Sequence, residues 1–116
     1  MKVNELETRP LNLAVLVHQE GGSAGISPLK DGSGLWASHS WAINQNKYQQ
    51  LIGGTFSVHE KQNASSHFGG EIVQVIPDQK EPSRSVIIFK PSTEIKNGSI
   101  NGKSFNWGHQ AEKVYY

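Results

Sequence analysis

Two apolar runs in the second half of the chain constrain the fold more than any other feature. Residues 71–76 (EIVQVI) and 85–90 (SVIIFK) are rich in β-branched side chains, and each has the length of one strand. The segment between them contains Pro77 and Pro82, which lack the N–H that a sheet ladder needs. The segment is therefore a connection, and an antiparallel hairpin of the two runs is the predicted centre of the fold.

Weaker patterns predict the elements around this hairpin. Asn44 or Asn46 is suited to cap a helix over 44–52, and the Gly53-Gly54 pair is suited to end it. Residues 21–34 contain five glycines and Pro28, which is typical of a long loop or a pair of turns. The remaining predicted strands are 13–18, 55–60, 105–107 and 114–116.

These elements define a fold class. Several short strands, one main helix and glycine-rich connections predict an α+β protein built on a small curled antiparallel sheet or barrel. Strands do not alternate with helices, so a doubly wound parallel sheet is excluded. With 116 residues, the chain (1–116) is expected to form a single domain with its own core.

Composition narrows the possible functions. A net charge of +1 gives no general attraction to nucleic acid, so any such partner needs a local pocket. The absence of cysteine excludes disulfides and thiolate metal sites, and two aspartates are too few for a typical Mg²⁺ or Ca²⁺ site. No apolar run approaches the length of a membrane span or forms a secretion signal. We therefore expect a cytoplasmic protein with no membrane partner and no cofactor.

Aromatic and polar residues cluster between positions 35 and 46 (LWASHSWAINQN). Trp36 and Trp41 flank Ser38 and His39, and in a regular strand the two indoles point to opposite faces, so a shared pocket needs a bend. Two interpretations are open. The tryptophans pack in the core, or at least one forms a stacking wall for a planar ligand such as a nucleobase.

Part of the chain resembles a known family. The runs 40–48 (SWAINQNKY), 53–56 (GGTF) and 69–73 (GGEIV) resemble the opening of EVE-type domains of the PUA-like superfamily, with Glu71 in place of the usual aspartate. The resemblance covers about a third of the chain. It implies a PUA-like fold and recognition of a modified base or RNA in an aromatic pocket.

The resemblance and the cluster together give a functional prediction. The chain is predicted to be a ligand-recognition module that binds a nucleobase, a nucleotide or nucleic acid. One indole stacks on the ring, polar side chains and the Gly69-Gly70 backbone bind its edge, and a lysine holds a phosphate. The predicted ligand-binding residues are Trp36, Ser38, His39, Trp41, Asn44, Lys47 and Lys61.

A second hypothesis is a small histidine-dependent hydrolase or nuclease. His59 or His67 would be the general base, with Glu60 or a metal assisting. The spacing matches no short metal motif, so no metal site is predicted. The third hypothesis is a protein-interaction module of the inhibitor or immunity type. In the first hypothesis the loop 21–34 is either a surface loop or a lid that brings Ser27 and Lys30 to the ligand.

Overall fold

The computed structural model describes residues 9–17, 25–108 and 112–116. These residues form one seven-stranded sheet with short helical segments at its ends. None of the helices in these ranges has the length and apolar character needed to cross a membrane. The strands are β1 (Leu13–Leu16), β2 (Ile26–Pro28), β3 (Trp36–Trp41), β4 (Thr55–His59), β5 (Phe68–Pro77), β6 (Ser85–Pro91) and β7 (Lys113–Tyr115).

The predicted central hairpin is confirmed. Strands β5 and β6 pair antiparallel, and a hydrogen bond of 2.8 Å from the Asp78 amide to the Arg84 carbonyl closes the connection. β5 begins at Phe68, before the predicted start at residue 71, so Gly69 and Gly70 lie within the strand. A Cβ at Gly70 would collide with the carbonyl oxygen of Lys90 on β6, and glycine permits this close approach.

The sheet differs from the prediction of an antiparallel sheet or barrel. Its order is β2-β3-β6-β5-β4-β1-β7, with β2 and β7 as the two edges, so the sheet is open. It is also mixed, because β1 pairs with β4 in parallel and brings Leu13 opposite Phe56. The pairing joins strands that are distant in the chain, and no local pattern in either strand specifies it.

The helical segments follow the capping residues. A 3₁₀ helix (Gln45–Lys47) leads into α1 (Tyr48–Leu51), and Asn44 caps the start as predicted. Gly53, with φ +88°, follows the helix end. A second helix, α2 (Thr93–Lys96), was not predicted, although Ser92 is a typical N-cap.

Two strands predicted near the end of the sequence and the predicted loop over 21–34 have different outcomes. Strand β7 confirms the predicted strand near 114–116, but the strand predicted over 105–107 is wrong. A 3₁₀ helix (Gly102–Ser104) precedes these residues, and the indole N–H of Trp107 turns back to the Gly102 carbonyl at 2.9 Å. Of the predicted loop, 21–24 lies outside the described residues, and β2 interrupts the rest.

Each face of the sheet carries an apolar cluster. Along β6, Ile87 and Phe89 join the larger core, while the alternate residues Val86 and Ile88 point to the other face. The larger core also holds α1 through Leu51, which is fully buried. The smaller cluster on the opposite face is centred on Ala37, Val86 and Ile88, with Leu29, Leu35 and Ile76 packed against them.

Candidate ligand-binding site

Strand β3 brings both tryptophans to the same face of the sheet. Trp41 belongs to the larger core and Trp36 packs against that core, although their spacing alone would place them on opposite faces. The register between β3 and β6 shifts between Ser38 and Trp41, which reverses the alternation at that point. This irregularity is the bend that allows both indoles to lie on one face of the sheet.

Trp41 is a core residue. Its side chain is almost completely buried, and its indole N–H donates a hydrogen bond of 2.9 Å to the Ser38 hydroxyl. Ser38 itself has no exposed surface. Both residues were predicted to contact a ligand, but the structure joins them to each other inside the protein. The alternative interpretation, core packing, therefore applies to Trp41.

Trp36 lies at a cavity. It is half-buried and packs on the ring of Phe68, with ring centroids 5.0 Å apart and planes inclined by 47°. The cavity has a volume of about 290 Å³ and lies where β3 and β5 begin and β6 ends. Its lining residues are Trp36, Phe68, Pro91, Ser92, Thr93 and Lys96. We call it the Trp36 cavity.

Phe68 is held in place from its other side. Its ring makes an edge contact with the buried ring of Phe89, with centroids 5.9 Å apart. The opposite wall is fixed by α2, because the Ser92 hydroxyl accepts the amide N–H of Ile95 and the Ser92 amide donates to the Gly69 carbonyl. The Trp36 cavity therefore has an aromatic wall on a rigid sheet and a polar wall on a capped turn.

The other predicted ligand-binding residues lie elsewhere. His39 is exposed on the opposite face of the sheet, 3.9 Å from Asp78. Asn44 caps the 3₁₀ helix, and the ammonium of Lys47 lies 4.8 Å from the centroid of the Tyr115 ring. Lys61 is exposed and does not line the Trp36 cavity.

The predicted lid residues are also away from the Trp36 cavity. Ser27 is exposed on β2, which pairs with β3 at the sheet edge, and Lys30 is exposed in the turn that follows. Neither residue lines the Trp36 cavity. The described part of the loop therefore contributes a strand to the sheet and no contact to this site.

The predicted general base His59 forms a buried hydrogen-bonded chain. Its Nδ1 lies 2.9 Å from the carbonyl of Ala64, and its Nε2 lies 2.9 Å from the Ser57 hydroxyl. A carbonyl only accepts, so Nδ1 carries the proton and Nε2 accepts from Ser57. Burial, which disfavours the charged imidazolium, lowers the pKa of His59 below its usual value of 6.5.

The hydrogen-bonded series of Ser57, His59 and the Ala64 carbonyl has the connectivity of a nucleophile, a base and an orienting acceptor. Neither Ser57 nor His59 has exposed surface, however, and the rings of Phe105 and Trp107 pack edge-on against the imidazole. A substrate therefore has no path to the Ser57 hydroxyl in this conformation. The network satisfies buried polar groups beneath an aromatic cover.

Glu60 and His67 do not complete a site with His59. Glu60 is exposed, whereas His67 is half-buried with an Nδ1 that has no hydrogen-bond partner within the described ranges. Across the part of the chain that the structure describes, no group of three or more His, Asp or Glu side chains is arranged to hold a metal ion.

Sequence reasoning missed most of the Trp36 cavity. Phe68, Ser92 and Lys96 were not singled out. One available signal was the run 92–95 (STEI), in which a serine precedes a short helical segment. That signal predicts α2 but not its position beside Trp36, which depends on the pairing of β3 with β6.

Comparisons with known proteins add no assignment. No protein-family model, curated protein or solved structure matches the chain. The resemblance to EVE-type domains therefore stays a prediction.

Proposed function

We propose that this protein is a ligand-recognition module that binds a nucleobase or nucleotide in the Trp36 cavity. The observation that carries the proposal is the position of Trp36, a half-buried indole that lines a concave site beside a second aromatic ring. An aromatic face that retains access to a cavity is what stacking on a planar ring requires.

The chemistry of the lining fits the parts of a nucleotide. Trp36, Phe68 and Pro91 offer flat apolar surface for a ring. Ser92 and Thr93 carry hydroxyl groups that can exchange hydrogen bonds with a ring edge. Lys96 is exposed in the last turn of α2 and supplies a positive charge for a phosphate. The site is small, which favours a single base over a longer strand.

The test is a titration of the protein with the four common nucleosides and their monophosphates, followed by ¹H–¹⁵N NMR. We expect shifts at the amides and indole N–H of the cavity residues. Trp36→Leu keeps apolar bulk but removes the ring, and loss of stacking worth about 1–3 kcal/mol would weaken binding between fivefold and 150-fold. Trp107→Leu is the matched control, since Trp107 does not line the cavity.

A second pair of variants tests the phosphate contact. Lys96→Gln should weaken binding of monophosphates but not of nucleosides, whereas Lys103→Gln, at an exposed lysine outside the cavity, should leave both unchanged. The proposal is overturned if no nucleoside or nucleotide shifts a cavity resonance. It is overturned equally if Trp36→Leu and Trp107→Leu bind with the same affinity.

A further inference from the structure

A second, larger cavity lies on the opposite face of the sheet. Its volume is about 490 Å³, within the range of roughly 300–1,000 Å³ that is usual for small-molecule sites. Its lining consists of Leu29, Ala37, His39, Ile76, Pro77, Asp78, Gln79, Lys80, Val86 and Ile88. We call it the Ala37 cavity. It shares no lining residue with the Trp36 cavity.

The floor of the Ala37 cavity is apolar. Ala37 on β3 and Val86 and Ile88 on β6 form the centre of the smaller apolar cluster, with Leu29 and Ile76 packed against them. Contact between this floor and an apolar group is favourable because both surfaces are removed from water, whereas a polar group would find no hydrogen-bond partner there. His39 supplies the only aromatic ring among the described lining residues, so the floor itself offers no ring for stacking.

The rim of the Ala37 cavity is polar and rich in donors. Asp78 is the only carboxylate among the lining residues that the structure describes, and one of its oxygens already accepts the Lys80 amide N–H at 2.9 Å. That hydrogen bond is the main reason why the pKa of Asp78 lies below its usual value. The other oxygen faces His39 Nδ1 at 3.9 Å. Lys80, Gln79 and His39, whose side chains carry N–H groups, line the cavity together with Asp78.

We infer that the Ala37 cavity binds a small amphiphile with an apolar chain and an anionic head, such as a medium-chain carboxylate. The chain would cover the floor formed by Ala37, Val86 and Ile88. The head would accept hydrogen bonds from the imidazole of His39 and the ammonium of Lys80. This site is independent of the proposed function, because it uses different residues on the other face of the sheet.

The test uses three probes with the same chain and different heads: octanoate, octanol and octylamine. Binding to the intact protein is measured by calorimetry, and the contacts are mapped by NMR on the methyl groups of Leu29, Ile76 and Ile88. Octanoate should bind more tightly than octanol, and both more tightly than octylamine. A preference for octylamine would overturn the assigned charge of the head, and no methyl shift with any probe would overturn the site.

Rim variants separate the head contact from the fold. Lys80 and His39 are exposed, so Lys80→Gln and His39→Gln should fold, and each should weaken octanoate binding roughly two- to fivefold without changing octanol binding. Lys90→Gln, at an exposed lysine outside this lining, is the matched control and should bind like the parent. Equal losses for Lys80→Gln and Lys90→Gln would show only a general charge effect and would overturn the proposed contact.

Ala37→Leu tests the floor. The added side chain should fill part of the cavity and weaken octanoate and octanol at least tenfold. If this variant does not fold, Ala37→Val is the smaller step. A folded variant at this position that binds both probes like the parent would overturn the location of the site.

Discussion

Hydrogen bonds of single buried side chains explain why two of the predicted ligand contacts belong to the interior. The Ser38 hydroxyl accepts the indole N–H of Trp41 in a region with almost no exposure. A buried donor that loses its acceptor costs more than the hydrogen bond itself contributes, because the desolvated N–H is left unpaired. The pair therefore stabilises one arrangement of β3.

The first prediction concerns this pair. Ser38→Ala should lower the free energy of unfolding by about 1–3 kcal/mol, measured in urea, whereas Ser27→Ala at an exposed position should change it by less than about 0.5 kcal/mol. With Trp41→Phe in the background, the effect of Ser38→Ala should shrink, because no indole N–H remains to be left unpaired. An undiminished effect in that background would contradict the role of the hydrogen bond.

The second residue-scale prediction concerns the protonation of His59. The Ala64 carbonyl fixes the proton of the neutral ring on Nδ1, and because the pKa of His59 is lowered, the imidazole should be less than half charged at pH 6.5. Long-range ¹H–¹⁵N spectra should therefore show a protonated Nδ1 and a bare Nε2. A protonated Nε2 would contradict the direction of the hydrogen bond with Ser57.

The same histidine links stability to pH. Its folded pKa is lowered, so below the unfolded value near 6.5 the unfolded chain binds a proton that the native state resists. This contribution to stability is complete above that pH and is lost as the pH falls. His59→Gln should therefore reduce the pH dependence of the unfolding free energy between pH 7 and pH 5. A slope identical to that of the parent would contradict the assignment.

At the scale of elements, the path of β5 between its two neighbours depends on the missing side chain at Gly70. A Cβ at Gly70 would meet the Lys90 carbonyl oxygen, whereas one at Gly32 would meet open space. Gly70→Ala should therefore cost about 2 kcal/mol or more in unfolding free energy. At Gly32 an alanine would meet no neighbouring atom and would be strained only by the positive φ, so Gly32→Ala should lower the unfolding free energy by about 1 kcal/mol. Equal costs would mean that β5 and β6 separate easily.

The sequence predicts elements better than it predicts what covers them. Strand β4 confirms the strand predicted over 55–60, and the alternation of side chains along a strand puts Ser57 and His59 on one face. Nothing in the local sequence shows that Phe105 and Trp107 pack over His59 on that face. Local patterns fix the direction of a side chain, while burial depends on distant segments.

At the scale of the whole molecule, the same limit explains the topology. The β5–β6 hairpin joins neighbouring segments and was predictable, whereas the parallel pairing of β1 with β4 brings together distant segments and was not. Of the candidate site, Trp36 was predicted from its residue type. Phe68 on β5 and Lys96 on α2 were not, because they come beside Trp36 only in the assembled sheet.

Sheet position also predicts where the molecule opens first. β6 lies between two strands and its residues Ser85–Phe89 are all buried, whereas β2 has three residues at an edge. Amide hydrogen exchange should therefore be slowest in β5 and β6 and fastest in β2. Comparable protection of β2 and β6 would contradict the order of strands.

Adjacent residues of β3, Trp36 and Ala37, line the two different cavities. Strand β3 therefore separates the two cavities, and a ligand that shifts this strand from one side changes the volume left for a ligand on the other side. Such coupling is reciprocal: if one ligand changes the affinity for the second by some factor, the second changes the affinity for the first by the same factor. Octanoate titrations with and without saturating nucleotide would measure that factor, and a value of one would mean that the two sites are not coupled through β3.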